Sequence, residues 1–582
     1  MDSRGAADAL NQIAMLLELH GEDRNQVHEF QAASRSVAVL GLAGIAHLLD
    51  GNRKPTGEAG ASVQVVRELF AENSSTLLES LQEQTPEGLL EMLLVPGLGP
   101  AKIRLIHHGL HIDTLADLEL AARDGRLASL PRFGEKTAAK IRKGIAALRA
   151  SGAPMLWGHA FNHAERLRQS LQGHPDVQNS CVAGSIRRCS ETVRDIDIVV
   201  AVNGAPSLIA AALAHSVPGG SDTLGGGNRT VTVRLDDGVR LDLACVRAEQ
   251  FALALWRATG SASHVRTVTD FANTRGFTIV GDELRDAKGS VVSIDSEEAL
   301  YEALGLPFIE PELREGDGEL EAARMQRLPE LVSVSNIVGA VHCHSHYSDG
   351  GATIREMASA AISLGWQYLG ISDHSQSNTY AGGLAREQIL RQHEEIADIN
   401  AQFESDGLNF RILQGIEADI LPCGRVDYDA QFLDRFDFVI ASIHSRYGMG
   451  ERQMTERVLK SLDDPHITIL GHPTGRLLLT REPYAIDMNA VIEKAGSVGV
   501  AVELNADPHR VDIDWRLCKL ARQHGTMVSI GPDAHSPQGL QNIALGIATA
   551  RKGWLEPADI LNSRTALEVL DFARARRAVA AH

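Results

Sequence analysis

The run Val338-Gly339-Ala340-Val341-His342-Cys343-His344 leads into Ser348-Asp349-Gly350. Apolar residues give way to two imidazoles one residue apart. A strand ending here carries both rings on one face, turns Cys343 to the other, and places a carboxylate in the loop that follows. The pattern recurs downstream. Strands are expected at 368–372, 438–443, 467–471, 498–504 and 527–530, alternating with helical stretches up to residue 573, and His374, Glu417, His444, His472, Asp533 and His535 fall near strand ends. Such alternation predicts a βα barrel or a layered α/β fold. In a βα barrel the C-terminal strand ends share one face, so His342, His344, Asp349, His374, Glu417, His444, His472, Asp533 and His535 would converge. Imidazoles and carboxylates without a thiolate suit two to three ions of the Zn2+ or Mn2+ type, a site able to activate water and grip phosphate. A lone histidine is more often packed or solvated, and His346, His466, His509 and His524 fall outside the pattern and are read that way.

Upstream, the acidic, Gly-containing stretch 310–321 reads as a linker. Before it, residues 196–202 and 230–246 alternate β-branched and polar residues, the signal of half-buried strands. Asp195-Ile196-Asp197 puts two carboxylates on one strand face, and Asp242, within Arg240-Leu241-Asp242-Leu243-Ala244, lies on another strand as a third. Three such groups can hold a pair of divalent ions for phosphoryl transfer with no side-chain nucleophile. An Asp-x-Asp pair alone could be a solvated edge, but Gly184-Ser185-Ile186-Arg187-Arg188 precedes this one.

Nearer the N-terminus, Val95-Pro96-Gly97-Leu98-Gly99-Pro100-Ala101-Lys102 and Leu130-Pro131-Arg132-Phe133-Gly134-Glu135-Lys136 share one grammar, a tight turn feeding a helix. Backbone N–H groups at such a turn can meet a DNA phosphate without reading sequence. Residues 95–150 carry ten Lys/Arg against five Asp/Glu, a local excess of +5 in a chain of net charge −19. Gly57-Glu58-Ala59-Gly60-Ala61 could form a third turn, but its acid argues against phosphate binding. Apolar spacing at Leu10, Ile13, Ala14 and Leu17, then Val37 and Leu40, predicts a small helical module, broken over 51–60 and resumed over 63–84. At about 150 residues per domain, 582 residues imply about four domains, or three with one large barrel. Net charge excludes a uniformly basic coat, scattered cysteines and a charged N-terminus point to a reducing cytoplasmic setting, and no apolar run is long enough for a membrane span.

On Gly184-Ser185 through Asp197, Asp242, Thr259-Gly260-Ser261 and the 304–315 segment ending Pro311-Glu312-Leu313-Arg314-Glu315, residues 1–315 resemble a family X DNA polymerase, and the hairpin turns resemble paired helix-hairpin-helix motifs. On the nine His/Asp/Glu positions, residues 336–575 resemble a PHP (polymerase and histidinol phosphatase) domain. The order matches the bacterial and archaeal type of family X enzyme. The resemblance implies a multidomain α+β and α/β chain: a helical domain (1–85), helix-hairpin-helix fingers (86–152), a nucleotidyltransferase palm (153–247), a thumb (248–315), a linker (316–335) and a distorted βα barrel (336–575). It implies that Asp195, Asp197 and Asp242 bind two Mg2+ or Mn2+, that Gly184, Ser185, Arg188, Thr259, Gly260 and Ser261 hold the nucleotide, and that Gly97, Gly99, Lys102, Gly134 and Lys136 meet DNA. In the barrel it assigns His342, His344, Glu417 and Asp533 to one ion, Glu417, His444 and His472 to a second, and Asp349, His374 and His535 to a third.

The function implied is gap-filling synthesis in base-excision repair on gapped or primed double-stranded DNA with deoxynucleoside triphosphates. The barrel would trim 3′ ends as a Mn2+-dependent exonuclease and, in some members, cut abasic sites. A monomer free of membranes is expected. Where the family has aromatic residues before Thr-Gly-Ser this chain has Arg257 and Ala258, and Val265 replaces a downstream Asn. The alternative is therefore a phosphoesterase whose weakened polymerase half serves as a DNA clamp. The lysine that some members use as an abasic-site lyase falls on Val65, so that activity is not expected. A small-molecule phosphatase would leave the hairpins and the Asp triad without use, and a scaffold would leave both ligand sets idle.

Overall fold

A computed structural model of the chain describes residues 2–39, 59–72, 75–131, 133–226, 230–379 and 381–580. Leu40, Arg132, most of the expected break over 51–60 and the Gly57-Glu58 half of the third turn lie outside these residues.

The N-terminal region is helical. Asp2 and Asp23 cap the helices Ser3–His20 and Arg24–Ala38 by accepting from the Gly5 and Asn25 amides. Leu10, Ile13, Ala14 and Leu17 face a core shared with helices Ala59–Glu72 and Pro100–Leu110. Helix Pro100–Leu110 begins with Pro at its first position behind Gly99, and Gly97 turns the chain at φ +82°. The second hairpin leads likewise through Gly134 into helix Glu135–Ala150.

Two sheets follow. In the first, β1 (Val177–Val182), β2 (Asp195–Val202), β3 (Gly220–Gly226), β4 (Thr230–Leu235) and β5 (Arg240–Val246) lie in the order β1-β2-β5-β4-β3. The stretch 230–246 is thus two antiparallel strands joined by a turn at Asp237-Gly238. β2 and β5 run parallel, which sets Asp197 directly beside Asp242.

The second sheet is a barrel. β6 (Gly339–Ala340), β7 (Tyr368–Ile371), β8 (Arg411–Asp419), β9 (Phe438–Ser442), β10 (Ile469–Leu470), β11 (Ala501–Asn505) and β12 (Val528–Gly531) are parallel and neighbour one another in chain order. A bridge between Cys343 and Ala534 joins the ends of the first and last strands, so the sheet nearly closes. Strands continuously apolar inside a helical jacket explain the Val, Ile and Leu runs. β8 was not among the strands expected, because Gln414 and Gly415 interrupt its apolar pattern, and β6 and β10 are shorter than expected.

The stretch 316–335, expected as a linker, is packed. Helix Glu319–Arg324 buries Glu319 and Ala323, Leu320, Leu328 and Leu331 pack on the core around Trp256 and Tyr301, and Val332 enters the barrel core. Glu319 accepts from the Gly316 and Asp317 amides and pairs with buried His264, so acidity marks internal bonding rather than a free tether. Beside it, Arg314 is fully buried, donates to the Ile309 carbonyl at 2.9 Å, pairs with Glu297 and lies 5.2 Å from the Phe308 ring centre. Removing one partner of such a pair strands the other. Arg314→Ala is expected to destabilise this region by about 3 kcal/mol, read as a lower urea midpoint, whereas an unchanged midpoint would contradict the packing described.

Candidate functional site

The barrel centre is built on Glu417, buried in β8. His374 Nδ1 and His472 Nε2 lie 2.9 Å from its carboxylate, His444 Nε2 3.3 Å and His342 Nε2 3.4 Å. Asp533 Oδ1 is 3.3 Å from His344 Nε2 and 3.6 Å from His342 Nε2. Asp349 Oδ2 is 3.4 Å from His535 Nε2 and 3.5 Å from His374 Nε2. All nine expected donors therefore meet at one end of the barrel. They form overlapping sets whose donor atoms lie within 4.8 Å of one another: His344, Asp349, His374 and His535; His342, His472 and Asp533; His342, His344 and Glu417; and His374, Glu417 and His444. Asp349, His374 and His535, expected at one ion, share a set; His342 and His344 share one with Glu417 but not with Asp533; and Glu417 is grouped with His374 and His444 and not with His472. The strand ends that carry His374 and His444 flank β8 on either side, so both rings reach Glu417, while His472 also reaches His342 and Asp533.

The donor chemistry fits divalent ions. His342 Nε2 and both ring nitrogens of His344 are buried without a hydrogen-bond partner among the described residues. The far nitrogens are held: His342 Nδ1 by Glu503 at 2.5 Å, and His444 Nδ1 by Asp419 at 2.7 Å. A carboxylate on one imidazole nitrogen with the other left for an ion is the orienting arrangement of metal-binding histidines. Burial opposes charge on His342, yet Glu503, Asp533 and Glu417 hold it well above its ordinary pKa. Burial likewise opposes protonation of His374 and His535, yet Glu417 and Asp349 raise the first to about 10 and Asp349 the second to about 9. Glu417 stays well below its usual range despite burial because His444, His342 and His374 outweigh it. The cage demands positive charge, and protons compete with metal ions to supply it.

Glu503 and Asp419 were not among the expected site residues. An acid inside the apolar run Ala501-Val502-Glu503-Leu504 was the signal available. His509, expected to be an ordinary surface or core histidine, lines the cavity beside Asp507 and approaches Glu91 of the helical region at 3.6 Å. The cavity, about 610 Å³, is lined by seven of the nine donors, His342 and His344 lying behind its wall, by Arg510, and by Pro86, Glu87, His107 and Thr114 of the helical region. His342, His472 and Asp533 all adopt positive φ, the backbone cost of turning their side chains inward. Cys343 faces the apolar core.

On the five-stranded sheet, Asp195 lies opposite Arg240, whose Nη2 is 2.5 Å from Asp195 Oδ2 and 3.0 Å from Asp242 Oδ2. Burial first, then the Asp195 and Asp242 charges, push Asp197 up to about 7. Gly184, at φ +62°, permits this crowding, since a Cβ there would fall 1.9 Å from Asp197 Oδ2. Ser185 follows it in the short helix Gly184–Arg187. Arg188 Nη1 donates to the Thr259 carbonyl at 2.8 Å and Nε to Glu315 at 3.0 Å, while Arg187 Nη1 donates to the Thr259 hydroxyl. Gly260 connects to Ser261, whose hydroxyl caps helix Ala262–Thr274. Arg257 pairs with Asp282, and Val265 packs on the apolar core beside it. Among the expected DNA contacts, Cβ atoms at Gly97, Gly99 and Gly134 would meet open space, Lys102 folds back on the Gly97 carbonyl, and Lys136 is exposed. Val65 is buried in the helical core.

A sheet with three clustered carboxylates joined to a His-rich barrel defines a two-centre phosphoryl-transfer protein. Family models match accordingly: a SAM-like helix-hairpin-helix tandem over 89–147, the DNA polymerase beta thumb over 254–315 and the PHP domain over 340–506. The chain is 35% identical over 567 residues, 97% of its own length and 98% of the relative's, to "DNA polymerase/3'-5' exonuclease PolX" of Bacillus subtilis. A "Probable phosphatase" of Syntrophotalea carbinolica shares 27% identity over 250 residues, 41% of this chain and 97% of that protein. Another, of Caldicellulosiruptor saccharolyticus, shares 29% over 210 residues, 33% of this chain and 78% of that protein. The chain belongs to the bacterial and archaeal type of family X DNA polymerases with a C-terminal PHP domain. Among the described residues no helix is long and apolar enough to cross a membrane.

A raised carboxyl pKa means that the folded chain keeps a proton which the unfolded chain has lost. Without divalent ions, the stability of the palm sheet is expected to fall as pH rises from about 4 through about 7, the span between the ordinary and shifted values of Asp197. An ion must displace that proton, so apparent Mg2+ affinity at this sheet is expected to be weaker at pH 6 than at pH 8. Calorimetric Mg2+ titration checks it, and equal affinity at both pH values would contradict the shift.

Proposed function

We propose that the chain is a DNA repair enzyme that fills gaps with its palm and trims 3′ ends with its barrel, using Mg2+ or Mn2+ at the first site and two to three Zn2+ or Mn2+ at the second. The observation that carries the reading is the separation of the two donor sets: Asp195, Asp197 and Asp242 share no residue with the cage around Glu417. The proposed division is helical domain 1–85, fingers 86–152, palm 153–247, thumb 248–315 and barrel 336–575, with 316–335 connecting them. Divalent ions, when bound, supply Lewis acidity and neutralise phosphate charge at both sites.

The remaining work falls to side chains. Asp195, Asp197 and Asp242 would hold the palm ions, with Asp242 beside the primer 3′ hydroxyl. Gly184 and Ser185 lie where a short turn can approach a triphosphate, and Arg188 adds a cation fixed by the Thr259 carbonyl and Glu315. In the barrel, Glu503 and Asp419 keep the His342 and His444 rings oriented, and the apolar jacket keeps bulk water from Glu417. Gly97, Gly99, Lys102, Gly134 and Lys136 would meet backbone phosphates on either side of a gap. The substrates follow: gapped or primed double-stranded DNA and deoxynucleoside triphosphates, handled by a cytoplasmic monomer, with abasic-site cleavage as a further use of the barrel.

A gapped duplex labelled at both ends, incubated with Mn2+ with and without nucleotides, reads both chemistries. Replacing Asp195 and Asp197 by Ala is expected to abolish extension, a loss of on the order of 1000-fold, and to spare nucleolysis. His344→Ala and Glu417→Ala are expected to do the reverse. Loss of both activities from either change in a folded protein would contradict two separate sites, and intact nucleolysis with no extension by the unsubstituted chain would favour the DNA-clamp reading.

A further inference from the structure

Helix Ile543–Lys552 belongs to the barrel, yet its last residue reaches the nucleotide side of the palm. Lys552 is buried, donates from Nζ to the Arg188 carbonyl at 2.9 Å and pairs with Glu315. The oxygen of Glu315 that meets Lys552 is the one that accepts from Arg188 Nε. The preceding residue, Arg551, fixes the same segment by donating to Glu312 at 2.6 Å and to the Val332 carbonyl. A barrel helix, the 310–315 segment and the Arg188 loop therefore form one half-buried knot in which a single carboxylate serves two cations.

Electrostatics assigns the knot a direction. A half-buried carboxylate shared between an ammonium and a guanidinium holds each less tightly than it would hold either alone. With Lys552 present, Glu315 takes only Nε of Arg188, the Thr259 carbonyl takes Nη1, and Nη2 has no hydrogen-bond partner among the described residues. Without Lys552, Arg188 would be the one cation left to Glu315 in this contact, and the pair could close into a tighter, two-pronged grip. That grip would occupy the donor a triphosphate needs, and the Arg188 carbonyl would lose its donor as well.

We infer that Lys552 of the barrel is a positioning residue for nucleotide addition: by holding Glu315 and the Arg188 carbonyl, it keeps the Arg188 guanidinium available to a triphosphate. The inference deepens the proposed polymerase function and rests on the reading of Arg188 as a nucleotide contact. It also gives the barrel a role in synthesis that needs none of its metal donors.

The test uses the full chain with gapped DNA. Lys552→Met is expected to weaken deoxynucleoside triphosphate binding by about tenfold, read by equilibrium titration with Ca2+ and as a higher KM in extension with kcat changed less. Exonuclease activity is expected to stay near that of the unsubstituted chain, with a melting temperature lower by a few degrees because a buried ion pair is broken. Glu315→Gln added to Lys552→Met removes the carboxylate that would grip Arg188 and is expected to recover most of the lost affinity. Unchanged nucleotide affinity in Lys552→Met overturns the inference. A joint fall in extension, exonuclease activity and melting temperature that Glu315→Gln does not rescue also overturns it, leaving Lys552 a structural residue. If the unsubstituted chain binds and adds no nucleotide, the palm reading itself has failed and the inference falls with it, a result distinct from both because it shows before any substitution is made.

Discussion

Carboxylates forced together out of water must find positive charge, and that constraint organises both halves of this molecule. On the palm sheet, the parallel pairing of β2 and β5 places Asp197 beside Asp242, with Asp195 on the same face, and Arg240 and Arg188 compensate only in part. In the barrel, Glu417, Asp533, Asp349 and Glu503 are packed among imidazoles that would otherwise be neutral. Each arrangement would be expensive as a purely structural device, and each becomes favourable once divalent ions take the place of protons.

The supporting frame follows from that demand. Seven parallel strands in chain order bring donors from the 342–344 region and from 533–535, far apart in sequence, to one end of a barrel closed by the Cys343–Ala534 bridge. The second layer, Glu503 on His342 and Asp419 on His444, fixes which ring nitrogen faces inward. The barrel is then tied to the rest of the chain by partly buried ion pairs: Lys552 with Glu315, Arg476 with Glu191, and Arg510 with Glu87 of the helical region. The protein thus keeps two chemistries apart while tying together the elements that present DNA to them.

Much of this was legible in the order of residues. The nine barrel donors and the three palm acids carry a chemistry that ordinary packing rarely requires, and strand alternation told which of them share a face. Alternation also turned Cys343 away from the site, where the structure has it. What escaped notice had weaker local signals. β8 hides behind Gln414 and Gly415, so the strand under the central donor was not marked. Glu503 and Asp419 are single acids whose role depends on partners more than twenty residues away. The stretch 310–321 has the acidic composition of a tether, and only the fold shows that Glu319 spends its charge on His264 and two backbone amides. The departures at Arg257 and Val265 are likewise explained only in three dimensions, by the ion pair with Asp282 and by packing.

The most direct measurement is anomalous diffraction at the Mn absorption edge from crystals of the full chain equilibrated with Mn2+. Two separate clusters of peaks are expected, one against Asp195, Asp197 and Asp242 and one among Glu417, Asp533 and the surrounding histidines. Ions in only one cluster, or ions seated on other residues while both cages stay protonated, would contradict it.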